Sequence, residues 1–185
     1  MRVYHYLSAK WALDDLSMRR LKIATFDDLN DPFELLSFDM KDPTFRRALK
    51  RTKEQMAHTR GFLCFSRSWK HPVLWSHYAD KHRGICLGFD VRDDLLKEVT
   101  YTEDRLDPNI RGLGSEDVQL EIVQKMLWTK YQGWSYEDEM RAYATLEEKD
   151  ESTKLYFKPF DHDMELTEIV VGSLCDVTKT ALAVC

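Results

Sequence analysis

Four groups of residues in this 185-residue chain do not read as ordinary packing: Tyr4-His5-Tyr6, Asn30-Asp31-Pro32-Phe33-Glu34, the stretch from Ser66 through Trp75-Ser76-His77-Tyr78, and Trp134 through Arg141. The last carries the most chemistry. If residues 137 to 143 are extended, Glu137, Glu139, Arg141 and Tyr143 share one face, while Asp138, Met140 and Ala142 share the other. The second face can enter a core, and the first would then expose two carboxylates and a guanidinium in a line. A Glu beside an Arg is a strong, directional recognition unit. The same two residues can equally form a structural ion pair that orders a sheet.

The other groups divide in the same way. His5 faces the opposite side of its segment from Tyr4 and Tyr6, as a hydrogen-bonded core histidine or as a pocket donor. Asn30 and Asp31 suit a loop that their own side chains hold better than a ligand contact. Trp75 and Tyr78, three apart on a helix, share a face that either packs into the core or offers an aromatic shelf to a ring. His71, His77 and His82 with Cys64 and Cys86 fit no zinc spacing, so no metal is expected. Cys64 precedes the polar run Ser66-Arg67-Ser68, but an apolar strand raises a thiol's pKa and works against a nucleophile there. GxGxxG and GxxxxGK phosphate loops are both missing, which argues against those two nucleotide folds.

Taken in order, His5-Tyr6, the Asn-Asp-Pro-Phe-Glu run of 30–34, Cys64-Phe65-Ser66, the Trp-Ser-His-Tyr-Ala run of 75–79 followed by the Gly-Ile-Cys-Leu-Gly-Phe run of 84–89, and a lysine ahead of the run 134–141 resemble a large prokaryotic family, domain of unknown function 2971. The resemblance spans nearly the whole chain. The order of the groups is also similar to that of ADP-ribosyltransferase-like folds, including toxins that modify DNA.

That second resemblance implies NAD as substrate, consumed by ADP-ribosyl transfer or by hydrolysis, in a toxin or phage-defence setting. It implies a catalytic set of His5 holding a ribose, Tyr78 or Ser66 near the nicotinamide, and Glu139 as the catalytic carboxylate. Tyr4, Tyr6, Asn30, Asp31, Trp75, His77, Glu137 and Arg141 would complete the nucleotide-binding set. Cleaving the bond to nicotinamide builds positive charge on the ribose, which a fixed carboxylate lowers in energy. The acceptor, nucleic acid or protein, is left open. Two departures count against this reading: Ser66-Arg67-Ser68 stands where one branch of these transferases has Ser-Thr-Ser, and no target-recognising loop can be picked out. A non-catalytic module for a nucleotide or partner, and a nucleic-acid-binding protein, are the alternatives.

Several elements must position these residues. Arg2–Leu7 alternates as a strand, and Ser8 can cap a helix over 9–18, with a short strand at 20–24. Asp42-Pro43 starts a helix over about 43–58, whose polar side is basic through Arg46, Arg47, Lys50, Arg51 and Lys53. A solvated face explains that charge, and docking to an anionic partner is the alternative. Strands are expected at 61–66, 84–91 and 98–102, a short helix from Pro72, and a core-facing helix over about 115–131. The run 134–146 follows, with late strands at 154–160 and 167–174, and Asp176 can cap a last helix that the terminal Ala-Leu-Ala-Val-Cys barely starts, as in a shortened family member.

The mixture lacks a regular βαβ alternation, so a single α+β domain is expected, with a mixed or antiparallel central sheet and flanking helices. With 43% hydrophobic residues the chain can close a core of its own, and no stretch approaches the roughly 20 apolar residues of a membrane span. Four cysteines without a CxxC pair read as buried thiols in a reducing cytoplasm. The formal charge of -5 opposes indiscriminate binding to phosphate backbones, so any nucleic-acid contact would be local.

Overall fold

A computed structural model describes residues 1–26, 28, 38, 39, 41–106, 116–178, 180 and 182, without the side chains of 116–120. Asn30, Asp31 and Glu34 therefore lie outside the described residues, as do residues 179, 181 and 183–185 of the expected last helix. The elements run β1 (Arg2–Leu7), α1 (Ala9–Met18), β2 (Arg20–Lys22), α2 (Pro43–Ala57), β3 (Arg60–Ser66), α3 (Pro72–Tyr78) and β4 (Ile85–Val91). They continue with β5 (Leu96–Glu98), β6 (Thr100–Thr102), α4 (Glu116–Trp128), β7 (Thr129–Tyr131), β8 (Glu139–Thr145), β9 (Phe157–Pro159) and β10 (Met164–Val171).

Six strands form one sheet in the order β10-β4-β1-β3-β8-β5, and each neighbouring pair is antiparallel. Two small sheets, β2 with β9 and β6 with β7, complete an α+β domain. The period-2 alternation gives the large sheet two faces with different cover. On one, Val3, Leu63, Phe65, Leu87 and Phe89 pack with Ala12 and Leu16 of α1 and Leu21 of β2. On the other, Phe62 packs with Phe45 and Leu49 of α2 and Met126 and Leu127 of α4, while Tyr6 and Cys86 pack separately with Leu74 and Trp75 of α3. Two apolar clusters thus sit on one face, and the space between them is where charge is found.

Local signals explain most boundaries. Pro43 and Pro72 each occupy the first turn of a helix, where the missing N–H costs nothing, and the Asp42 side chain accepts from the N–H groups of Thr44 and Phe45. Ser8 stands at the N-cap of α1, but its side chain makes no capping bond. The strand expected at 98–102 is two: Leu96–Glu98 pairs with β8, and Thr100–Thr102 pairs in parallel with β7. That second pairing also overrides the helix expected as far as residue 131, because Thr129–Tyr131 leave α4 to join β6. The late strands shift as well, to Phe157–Pro159 and Met164–Val171.

Candidate functional site

The β3–β8 ladder sets the site's floor. Its register places Ser66 across from Glu139, Cys64 across from Arg141 and Phe62 across from Tyr143, all on the face that carries α2, α3 and α4. Tyr4 lies opposite Ser66 on the other side of β3. The extended run expected from 137 is interrupted. Gln132–Glu137 form a 3-10 helix, and Asp138 turns through a left-handed conformation at φ 43° before β8 begins. Arg67 clamps that turn with one guanidinium, 2.6 Å from Asp138 Oδ1 and 2.8 Å from Glu98 Oε2, and its N–H donates to the Asp138 carbonyl at 3.2 Å. The arginine of the Ser-Arg-Ser run thereby has a structural task.

The turn brings Glu137 back over Glu139 instead of leaving both carboxylates exposed along a strand. Glu137, Glu139, Lys130 and Arg141 are 5%, 4%, 4% and 0% exposed. Arg141 Nε lies 2.6 Å and Nη2 3.1 Å from the two oxygens of Glu139, and Nη1 donates to the Leu127 carbonyl at 2.8 Å. Lys130 Nζ lies 2.6 Å from Glu137 Oε2 and 2.9 Å from Glu139 Oε2. The Tyr78 hydroxyl donates to Glu137 Oε1, and the Glu139 N–H donates to the Tyr101 hydroxyl at 2.9 Å. Among the described residues two anions and two cations make a quartet without net charge, wedged between the two apolar clusters.

Burial pushes the Glu139 carboxyl up, and Glu137 adds to this while Lys130 opposes it. For Lys130, burial acts to lower the ammonium's pKa but is outweighed by Glu139 and Glu137, which hold it protonated. Burial, then the Glu137 charge, push the Tyr78 phenol up, so it keeps the proton that it donates. Cys64 is pushed well above an ordinary thiol by burial and by Glu139 beside it, the wrong direction for a nucleophile.

A cleft of about 120 Å³ opens beside the quartet, bordered by Tyr4, His5, Tyr6, Ser66, Leu74 and Tyr78 as well as the four charged residues and Cys64. Pockets that engulf a drug-sized ligand run to roughly 300–1,000 Å³, so this one has room for no more than a single ring or sugar. Gly88 makes room for its wall, since a Cβ there would stand 3.1 Å from the Tyr4 ring. A separate hollow of about 660 Å³ on the opposite face is lined by Leu63, Phe65, Ala142 and Tyr156, among others.

Of the residues singled out by sequence, Tyr4, His5, Tyr6, Ser66, Tyr78, Glu137, Glu139 and Arg141 come together at this cleft. His5 does so from between the strands: Nδ1 donates to the Cys64 carbonyl at 2.7 Å and the ring meets Phe65 edge-on, leaving Nε2 as the lone-pair nitrogen. Burial lowers its pKa, so the ring is neutral. Trp75 and His77 do not join. Trp75 packs edge-on against Tyr6 and donates to the Trp69 carbonyl, and His77 is exposed beside Tyr136. Lys130, the lysine ahead of the 134–141 run, received no role from sequence because the expected helix carried it away from the carboxylates. Tyr101 was missed too.

Among the described residues no group of three or more His, Cys, Asp and Glu could hold a metal ion, and no helix is long and apolar enough to cross a membrane. No curated protein and no solved structure matches the chain. Residues 74–142, which include most of α3, Tyr78, Lys130 and the 137–141 turn and strand, match the model of a protein family of unknown function, DUF2971, the family that the sequence motifs resemble.

Proposed function

We propose that the cleft receives the nicotinamide-ribose end of NAD and promotes cleavage of the bond between them, as an ADP-ribosyltransferase or NAD glycohydrolase of ADP-ribosyltransferase-like fold. The observation that carries this reading is convergence: Tyr4, Ser66, Tyr78 and Glu139, from two strands, a helix and a late strand, border one cleft of ring size. In the reaction the C1′–N bond breaks and its electron pair leaves with nicotinamide. Water or an acceptor then adds to C1′ and loses a proton.

Glu139 is held rigidly by Arg141 and Lys130, so its field is oriented before the ribose charge develops. Ser66 and Tyr78 flank the ring, and the neutral His5 supports the wall. The rest of the dinucleotide lies outside the cleft. Such an activity suits a toxin or phage-defence setting.

One observation favours a second reading, a non-catalytic nucleotide-binding module. Both carboxylates already carry their own cations, which weakens the field they can offer a developing oxocarbenium.

Incubation with NAD and measurement of free nicotinamide separates the two. Release that falls about a hundredfold to a thousandfold in Glu139→Gln, in folded protein, supports the enzyme. Tyr78→Phe, which keeps the ring and loses the donor to Glu137, serves as the second variant. Saturable NAD binding without nicotinamide release supports the module, and neither binding nor release contradicts both.

A further inference from the structure

Phe45 and Leu49 of α2 are buried and Met56 packs beside them, which turns Arg46, Arg47, Lys50 and Arg51 outward, all exposed, with Lys53 at the flank. Glu54 is the one acid in this helix, 3.8 Å from Lys50. At 1.5 Å rise per residue, Arg46, Lys50 and Lys53 form a row roughly 10 Å long, with Arg47 and Arg51 in a second row beside it. In a chain of formal charge -5, this is a local reversal of sign.

The same sheet face carries a second feature that points to the same partner. Tyr143, 39% exposed on β8, and the half-buried Trp128 at the end of α4 lie with ring centroids 6.3 Å apart. The exposed Arg60 guanidinium stands 5.6 Å from the Tyr143 ring, and the exposed Lys97 ammonium 5.2 Å from the Trp128 ring. Phe62, in the cluster that anchors α2, supports both rings from below. Rings flanked by cations bind a strand in two ways at once: the rings stack unpaired bases and the cations meet phosphates.

We propose that α2 and the Tyr143–Trp128 strip together form a docking face for single-stranded nucleic acid. Cations arrayed along a helix meet any polyanion, but an aromatic pair between two further cations adds what a base-bearing strand uses and an acidic protein does not. This face runs along the same ladder as the cleft, with Tyr143 two residues beyond Arg141 on β8. It is independent of NAD turnover and stands or falls separately.

The test is fluorescence anisotropy of the full chain with labelled 20-nucleotide single-stranded DNA, the same sequence as RNA, and its duplex. Salt titrations and competition with polyglutamate accompany each. The DNA and RNA arms show which sugar is preferred, and stronger binding of either single strand than of duplex is expected. Arg47→Gln with Arg51→Gln should reduce the slope of log affinity against log salt by about 0.7 for each phosphate contact removed. Tyr143→Ala should weaken binding by roughly fivefold or more at constant salt slope. Both sets of changes lie on exposed side chains, and melting curves check that the variants fold. Absence of binding at low salt overturns the proposal. So does equal competition by polyglutamate with no effect of Tyr143→Ala, which would mark a face for acidic proteins.

Discussion

Lys130 reaches Glu139 across 2.9 Å with both side chains almost wholly buried, and the same ammonium is 2.6 Å from Glu137. A cation shared by two buried carboxylates cannot be removed without leaving uncompensated charge. Lys130→Met should therefore destabilise the fold by about 3–5 kcal/mol, measured by urea unfolding. Adding Glu137→Gln should recover part of that loss, because Glu139 keeps Arg141 and Glu137 is the carboxylate whose described cation has gone. Equal stability of Lys130→Met and the parent chain would show that Lys130 does not hold the two carboxylates as described.

Asp15 on α1 is 1% exposed, and neither of its carboxylate oxygens makes a hydrogen bond of good geometry among the described residues, the Lys22 N–H giving only weak support. Burial, with Asp14 adding to it, pushes the carboxyl up to about 7, whereas in the unfolded chain it returns near 3.8. The folded chain thus binds this proton more tightly than the unfolded chain. The penalty for ionising it is complete above about pH 7, shrinks as pH falls and is gone below about pH 4. Asp15→Asn should raise stability by about 1–3 kcal/mol at about pH 8 and leave it nearly unchanged at about pH 4. Thermal melts of both proteins across that range check the sign, and a gain that is the same at both ends would refute it.

Asp42 supplies α2 with a cap that its first turn otherwise lacks, accepting from Thr44 and Phe45 at 2.8 and 2.7 Å. Asp42→Ala should cost about 0.5–2 kcal/mol in equilibrium unfolding, and Asp42→Ser much less. If the two substitutions cost the same, the side-chain cap contributes nothing.

The elements legible in the sequence are those fixed by local signals. The bounds of α1 follow its apolar period, and Pro43 and Pro72 mark the helix starts of α2 and α3. What escaped depends on distant pairing. Thr129–Tyr131 continue a helical pattern in sequence, yet β6 draws them into a parallel ladder and carries Lys130 to the carboxylates. The alternation that grouped Glu139, Arg141 and Tyr143 holds, because β8 is a true strand. It fails for Glu137, which arrives by the 3-10 helix and the left-handed Asp138. An Asp in that conformation is tolerated without a sequence signature as strong as glycine's, so the turn could not be read in advance.

Crystals soaked with ADP-ribose together with nicotinamide test the central claim most directly. The account predicts a ring or ribose seated against Tyr4, Ser66 and Tyr78, beside Glu139, with the remaining nucleotide outside the cleft. Ligand bound instead in the hollow between Leu63, Ala142 and Tyr156, or a cleft that stays empty at saturating concentrations of both, would contradict it.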